Sequence, residues 1–132
     1  MAKAGTEKTM PYDLRIERKD NILWVTATGR RSLDTVLAMS KDIFAACVEH
    51  KVSKVLADVR ALGGRLSTIE AYKIVDQHFP AMRDRSVITH CAIVDLKEFE
   101  DSYRFFEDLA VNRDFNVRLF SGPDEAVEWL LK

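Results

Sequence analysis

The 132-residue chain has little of what commonly staples, breaks or strongly charges a fold: two cysteines, three prolines, five glycines and three histidines. Two cysteines cannot build the disulfide framework of a small secreted domain. Cys47 lies in a helical apolar stripe and Cys91 in an apolar strand, so both read as buried reduced thiols, and the expected setting is cytoplasmic. The scattered histidines and cysteines show no metal-ligand spacing, and no cofactor is expected. Charge of one sign is missing too. With 20 basic residues against 21 acidic ones there is no electrostatic footprint for nucleic acid or an anionic membrane. No run of about 18 apolar residues appears, which argues against a membrane span, and Met1 to Met10 lacks the apolar core of a secretory signal. Residues 1–11 read as a flexible leader and 12–132 as one domain, large enough to bury roughly two-thirds of the surface of the unfolded chain.

What the sequence does contain is an ordered alternation of strand and helix patterns. Tyr12 to Arg18 alternates Leu14 and Ile16 with Asp13, Arg15 and Glu17, and Ile22 to Thr28 alternates Leu23, Val25 and Ala27 with Trp24, Thr26 and Thr28. Joined at Asp20-Asn21, the two predict a hairpin. Ser32 predicts the cap of a helix running to Glu49, closed by His50 and Lys51. Val55, Leu56, Ala57 and Val59 form the short apolar run of a buried parallel strand. The S-x-x-E spacing of Ser67 and Glu70 then opens a second helix, with Ala71, Tyr72, Val75 and Phe79 on its inward side.

Val87 to Asp95 reads as a fourth strand, Lys97 to Arg113 as a third helix, Asn116 to Phe120 as a fifth strand, and Ser121-Gly122-Pro123-Asp124 as the start of a last helix. The fold class is therefore α/β, with one five-stranded mixed sheet: an N-terminal hairpin, then strands two to five made parallel by right-handed crossovers. If the strands lie in chain order, the four helices belong mainly on one face. The other face would leave Trp24, Phe120 and part of the fourth strand exposed, a patch suited to homodimerisation.

Asp58-Val59-Arg60, followed by Gly63-Gly64 and a capped helix, together with this element order, resembles the SpoIIAA-like branch of the STAS family, the anti-sigma-factor-antagonist type of domain. Phe105-Phe106-Glu107, Asn112-Arg113, Asn116-Val117-Arg118-Leu119-Phe120 and Glu125-Ala126-Val127-Glu128-Trp129-Leu130 are similar to the closing pattern of that branch. The resemblance implies a five-stranded mixed sheet with stacked helices, a fold related to CRAL-TRIO-type lipid carriers. It also implies regulation, since such antagonists carry an Asp-Ser pair at the second helix whose serine is phosphorylated to switch partner binding. Here Arg65-Leu66-Ser67-Thr68 has the serine without the preceding aspartate.

Parallel strands deliver their trailing turns to a common carboxyl rim, where ligands and partners of open α/β sheets usually sit. The residues expected there are Arg30, Arg31, Asp58, Arg60, Gly63, Gly64, Arg65, Ser67 and Asp95. The arginines and helix starts suit a phosphate, a carboxylate or an acidic partner, or else the arginines pair with Asp58 and Asp95. Ser67 and Thr68 are candidate phosphosites, with a plain helix cap as the simpler role for Ser67. His90 and Cys91 are strand neighbours pointing to opposite faces, so they form no dyad, and no nucleophile, base or metal constellation assembles into an enzyme. Tyr72, Phe79, Tyr103, Phe105 and Phe106 are core aromatics or the lining of an apolar cavity. Together these readings predict a small regulatory or interaction module that binds a protein partner through the Arg60 to Ser67 loop and the following helix, as a homodimer. The runner-up is a binder of a small anionic or lipid-like ligand at the rim or between helices and sheet.

Overall fold

The computed structural model describes residues 12–74, 76, 88–99, 104, 107, 108 and 116–132. The leader and the aromatics Phe79, Tyr103, Phe105 and Phe106 lie outside them. The described chain runs β1 (Tyr12–Lys19), β2 (Ile22–Arg30), α1 (Leu33–His50), β3 (Lys54–Gly63), α2 (Thr68–Lys73), β4 (His90–Val94), a 3-10 turn at Lys97–Phe99, β5 (Val117–Phe120) and α3 (Pro123–Leu131). One sheet holds the strands in the order β1-β2-β3-β4-β5. The first pair is antiparallel and the other three are parallel.

Local chemistry explains where the elements start and stop. Asp20 and Asn21 sit at φ 55° and 62°, so the hairpin turns on the two residue types that best tolerate a left-handed backbone. Ser32 caps α1 in a reciprocal box with Thr35, each side chain accepting the other's backbone N–H. Lys51 ends α1 in the left-handed conformation, its N–H turned back onto the carbonyls of Cys47 and Val48. Of the helix expected over Lys97 to Arg113, the described part is the 3-10 turn and helical residues 104, 107 and 108.

The sheet is covered on both faces. Leu23, Val25, Val55 and Ala57 point to one face and pack against Ala46 and Cys47 of α1. On the same side Ile74, next to α2, packs with Val117, Cys91 and Ile93. The alternate residues Ile22, Leu56, Ala92 and Val94 point the other way, onto Ala126 and Leu130 of α3. Trp24 and Phe120 join that second core at its margin, with the Phe120 and Trp129 ring centroids 5.7 Å apart. This corrects the expected exposed patch. The apolar stripe of α3 packs on the face opposite α1 and closes it. The ground for a homodimer through that patch disappears with it. One further inward assignment changes: Tyr72 is exposed, at 43%, and the buried residue by α2 is Ile74. Among the described residues no helix is long and apolar enough to cross a membrane.

Both cysteines are free, and both thiols belong to the α1 side of the core. Cys91 as a residue keeps intermediate exposure, yet its side chain packs against the cluster that holds Cys47. Burial pushes the Cys47 thiol up to about 11, and burial together with the neighbouring Cys47 pushes Cys91 up to about 12. An acid whose folded pKa is raised contributes stability that is intact below its unfolded pKa and lost as pH rises toward the folded value. Urea unfolding stability is therefore expected to fall above about pH 8.5, the free thiol pKa. A Cys47→Ala/Cys91→Ala variant should lose that part of the alkaline slope, and identical slopes for the two proteins would refute the assignment.

Candidate functional site

The carboxyl rim gathers the ends of β2, β3 and β4. Arg30, the last residue of β2, pairs in register with Gly63, the last of β3. The chains stay together one residue further, where the Arg31 N–H donates to the Gly63 carbonyl at 2.6 Å. Gly64 then turns the chain at φ +85°, and a Cβ there would meet the Arg31 carbonyl oxygen at 3.2 Å. Both constraints select glycine: the left-handed backbone and the close passage of β2's extension.

Arg31 points inward from this crossing. Its guanidinium Nη2 lies 3.0 Å from Asp95 Oδ2, with side-chain exposures of 6% and 0%. That contact is ionic, outside hydrogen-bond angles, while Asp95 Oδ1 accepts the Leu96 N–H at 2.7 Å. Arg31 Nη2 also donates to the Val59 carbonyl at 3.2 Å. The pair ties the end of β2 to the end of β4 beneath the rim. Arg31 and Asp95 are thus internal links, and of the two readings open for Arg31, an anion contact or a pairing with a chain carboxylate, the structure shows the pairing.

Asp58 and Arg60 form a separate, more exposed pair on β3. The register between β2 and β3 shifts between Thr26 and Thr28, so β3 carries one extra residue there. The bulge lets Arg60 fold back two residues: Nε and Nη2 reach Asp58 Oδ1 and Oδ2 at 2.9 and 2.7 Å, and its backbone N–H reaches Oδ1 at 3.2 Å. The two-pronged guanidinium donation holds the Asp58 carboxyl below its usual range. Asp58 is level with Val94, one residue short of Asp95, so the two carboxylates point to opposite faces and form no acid/base couple. His90 and Cys91 likewise diverge. His90 sits edge-on to Trp129 at 5.3 Å on the α3 side, and Cys91 packs on the α1 side.

Beyond Gly64 the loop runs through exposed Arg65 and half-buried Leu66 into α2. Ser67 caps α2 through a complete box: its Oγ accepts the Glu70 N–H at 3.1 Å, and Glu70 Oε1 accepts the Ser67 N–H at 2.9 Å. Ser67 is exposed, and so are Ile69 at 69% and Tyr72 at 43%. Spaced by three, Ile69 and Tyr72 lie on one side of the helix. Sequence reasoning placed the loop and the cap but turned Tyr72 inward and passed over Ile69. It also missed a second feature of the rim, a cleft beside β5 lined by Lys97, Arg118 and Ser121 among others. The outward position of Arg118 in an alternating edge strand was the one signal for it.

This architecture is similar to that of an anti-sigma factor antagonist from Mycobacterium paratuberculosis, matched at a TM-score of 0.58 with 17% identity over 92% of this chain and 95% of that one. An uncharacterized protein from Shewanella loihica with a SpoIIAA-like fold matches at a TM-score of 0.56 with 19% identity, covering 90% of this chain and 93% of that one. The fold class is SpoIIAA-like. No family model and no curated protein matches the sequence.

Proposed function

We propose that this chain is a small regulatory or interaction module that docks a protein partner through the Arg60 to Ser67 loop and α2. The observation that carries the reading is the exposure of Ile69 and Tyr72 beside the Ser67 cap. Two large apolar side chains on one face of a short helix contribute little to this fold and much to an interface, where aromatic and aliphatic anchors dominate binding. The loop leading to them is held in place by the Arg31–Gly63 hydrogen bond, Gly64 and the capping box, so little ordering cost remains for docking. The likeness to an anti-sigma factor antagonist supports the same reading, because such a protein is named for acting on a protein partner.

Ser67 is the favoured regulatory phosphosite, ahead of the adjacent Thr68. A phosphate on its Oγ would stand against the Glu70 carboxylate and break the reciprocal cap. The anionic-ligand reading is weakened at this loop, since Arg31 and Arg60 already hold carboxylates of the chain itself.

The test is affinity capture from lysate of the native host by wild type, Ile69→Asp and Val48→Lys, the last altering an apolar residue of α1 that is 50% exposed. A specific protein retained by wild type and Val48→Lys but reduced about tenfold or more by Ile69→Asp is the expected result, tenfold being the loss of one modest anchor. Equal retention by all three would remove α2 from the interface.

A further inference from the structure

The cleft beside β5 has a charge pattern that the partner-docking surface does not explain. Asp95, Lys97, Arg104, Glu107, Arg118, Leu119 and Ser121 line it. Both carboxylates are engaged by the chain itself. Asp95 takes the Leu96 N–H and the Arg31 charge, and Glu107 accepts the backbone N–H of Leu119 on the free edge of β5. The cations differ. Neither the Lys97 nor the Arg118 side chain makes a hydrogen bond or ion pair among the described residues, and both residues are exposed.

Two exposed cations without a side-chain partner among the described residues thus line one cleft at the ends of β4 and β5, the rim where parallel sheets present ligands. The lining is polar apart from Leu119, which suits a small charged group and not a lipid chain. A guanidinium and an ammonium on residues lining one cleft match a doubly charged oxyanion, with Ser121 supplying a hydroxyl as a further donor.

We propose that this cleft binds a small phosphate monoester or inorganic phosphate, with Arg118 and Lys97 as its charge partners. The proposal shares no residue with the surface around Ile69 and stands or falls separately from the docking reading.

Inorganic phosphate, titrated into the full chain at constant ionic strength and followed by backbone amide NMR, tests it. Saturable shifts at residues 95–97 and 118–121 are expected, with a Kd of about 1 mM or tighter. Arg118→Gln and Lys97→Gln should each weaken binding about tenfold, the loss of one charge-assisted contact. Arg118→Lys should fall between, keeping the charge without the fork. Arg15→Gln, an exposed arginine on β1, should bind as wild type does. A parallel titration with phosphoethanolamine separates the two sources: tighter binding than inorganic phosphate assigns the site to a monoester, and equal or weaker binding to the free ion. No saturation at about 10 mM phosphate, shifts centred elsewhere, or equal weakening by Arg15→Gln would overturn the proposal.

Discussion

Asp95→Ala is expected to lower unfolding stability by about 3 kcal/mol or more, because it leaves the Arg31 guanidinium buried without its carboxylate. The attraction in such a pair largely offsets the cost of taking both charges out of water, so removing one partner exposes the full desolvation cost of the other. A loss of that size is a large share of the roughly 5 to 15 kcal/mol that holds a domain folded. The double variant Arg31→Met/Asp95→Ala separates this account from simple loss of packing. Removing both charges should recover most of the stability, whereas a cavity at residue 95 would persist in the double variant. Urea unfolding of wild type, the two single variants and the double variant measures the coupling directly. A single-variant loss under about 0.5 kcal/mol, the range of ordinary surface substitutions, would show that the pair contributes little.

Leu130→Ala carries the second large effect, a loss of about 2 to 5 kcal/mol, from removing a side chain that is 1% exposed at the centre of the second core. Leu131→Ala, one residue on and 54% exposed, should stay within about 0.5 kcal/mol of wild type. The contrast depends on how α3 is seated. Leu130 belongs to the buried cluster that also holds Leu56 and Ala92, and its carbonyl accepts from Lys54 Nζ at the start of β3. Comparable losses from both variants, measured by thermal or urea unfolding, would mean that α3 is rotated or detached and that the face carrying Trp24 is open after all.

Much of the architecture is legible without coordinates because its signals are local. Period-two alternation in Tyr12 to Thr28, the paired caps at Ser32 and Ser67, and the apolar run from Val55 each report a conformation that the residues within one or two turns decide among themselves. Right-handed crossovers then make β2 to β5 parallel by a rule that needs only the element order. The candidate site was legible to a smaller degree. That the residues after β2, β3 and β4 share a rim follows from parallel strands; which of them pair with one another does not. Arg31 and Asp95 are 64 positions apart and meet because β2 and β4 end on either side of β3. Asp58 and Arg60, two positions apart, take each other because of a bulge whose location depends on the register with β2.

By itself, then, the sequence determined the elements, their order, the hairpin, the parallel sense of the later strands and the capped turn into α2. Tertiary structure alone decided which face α3 covers, that Arg31 is buried against Asp95, that Ile69 and Tyr72 look outward, and that Lys97 and Arg118 line one cleft. The division has a physical cause. Backbone conformation is selected by neighbours along the chain, whereas burial and charge pairing are selected by neighbours across the sheet, and those depend on register and on the face against which α3 packs.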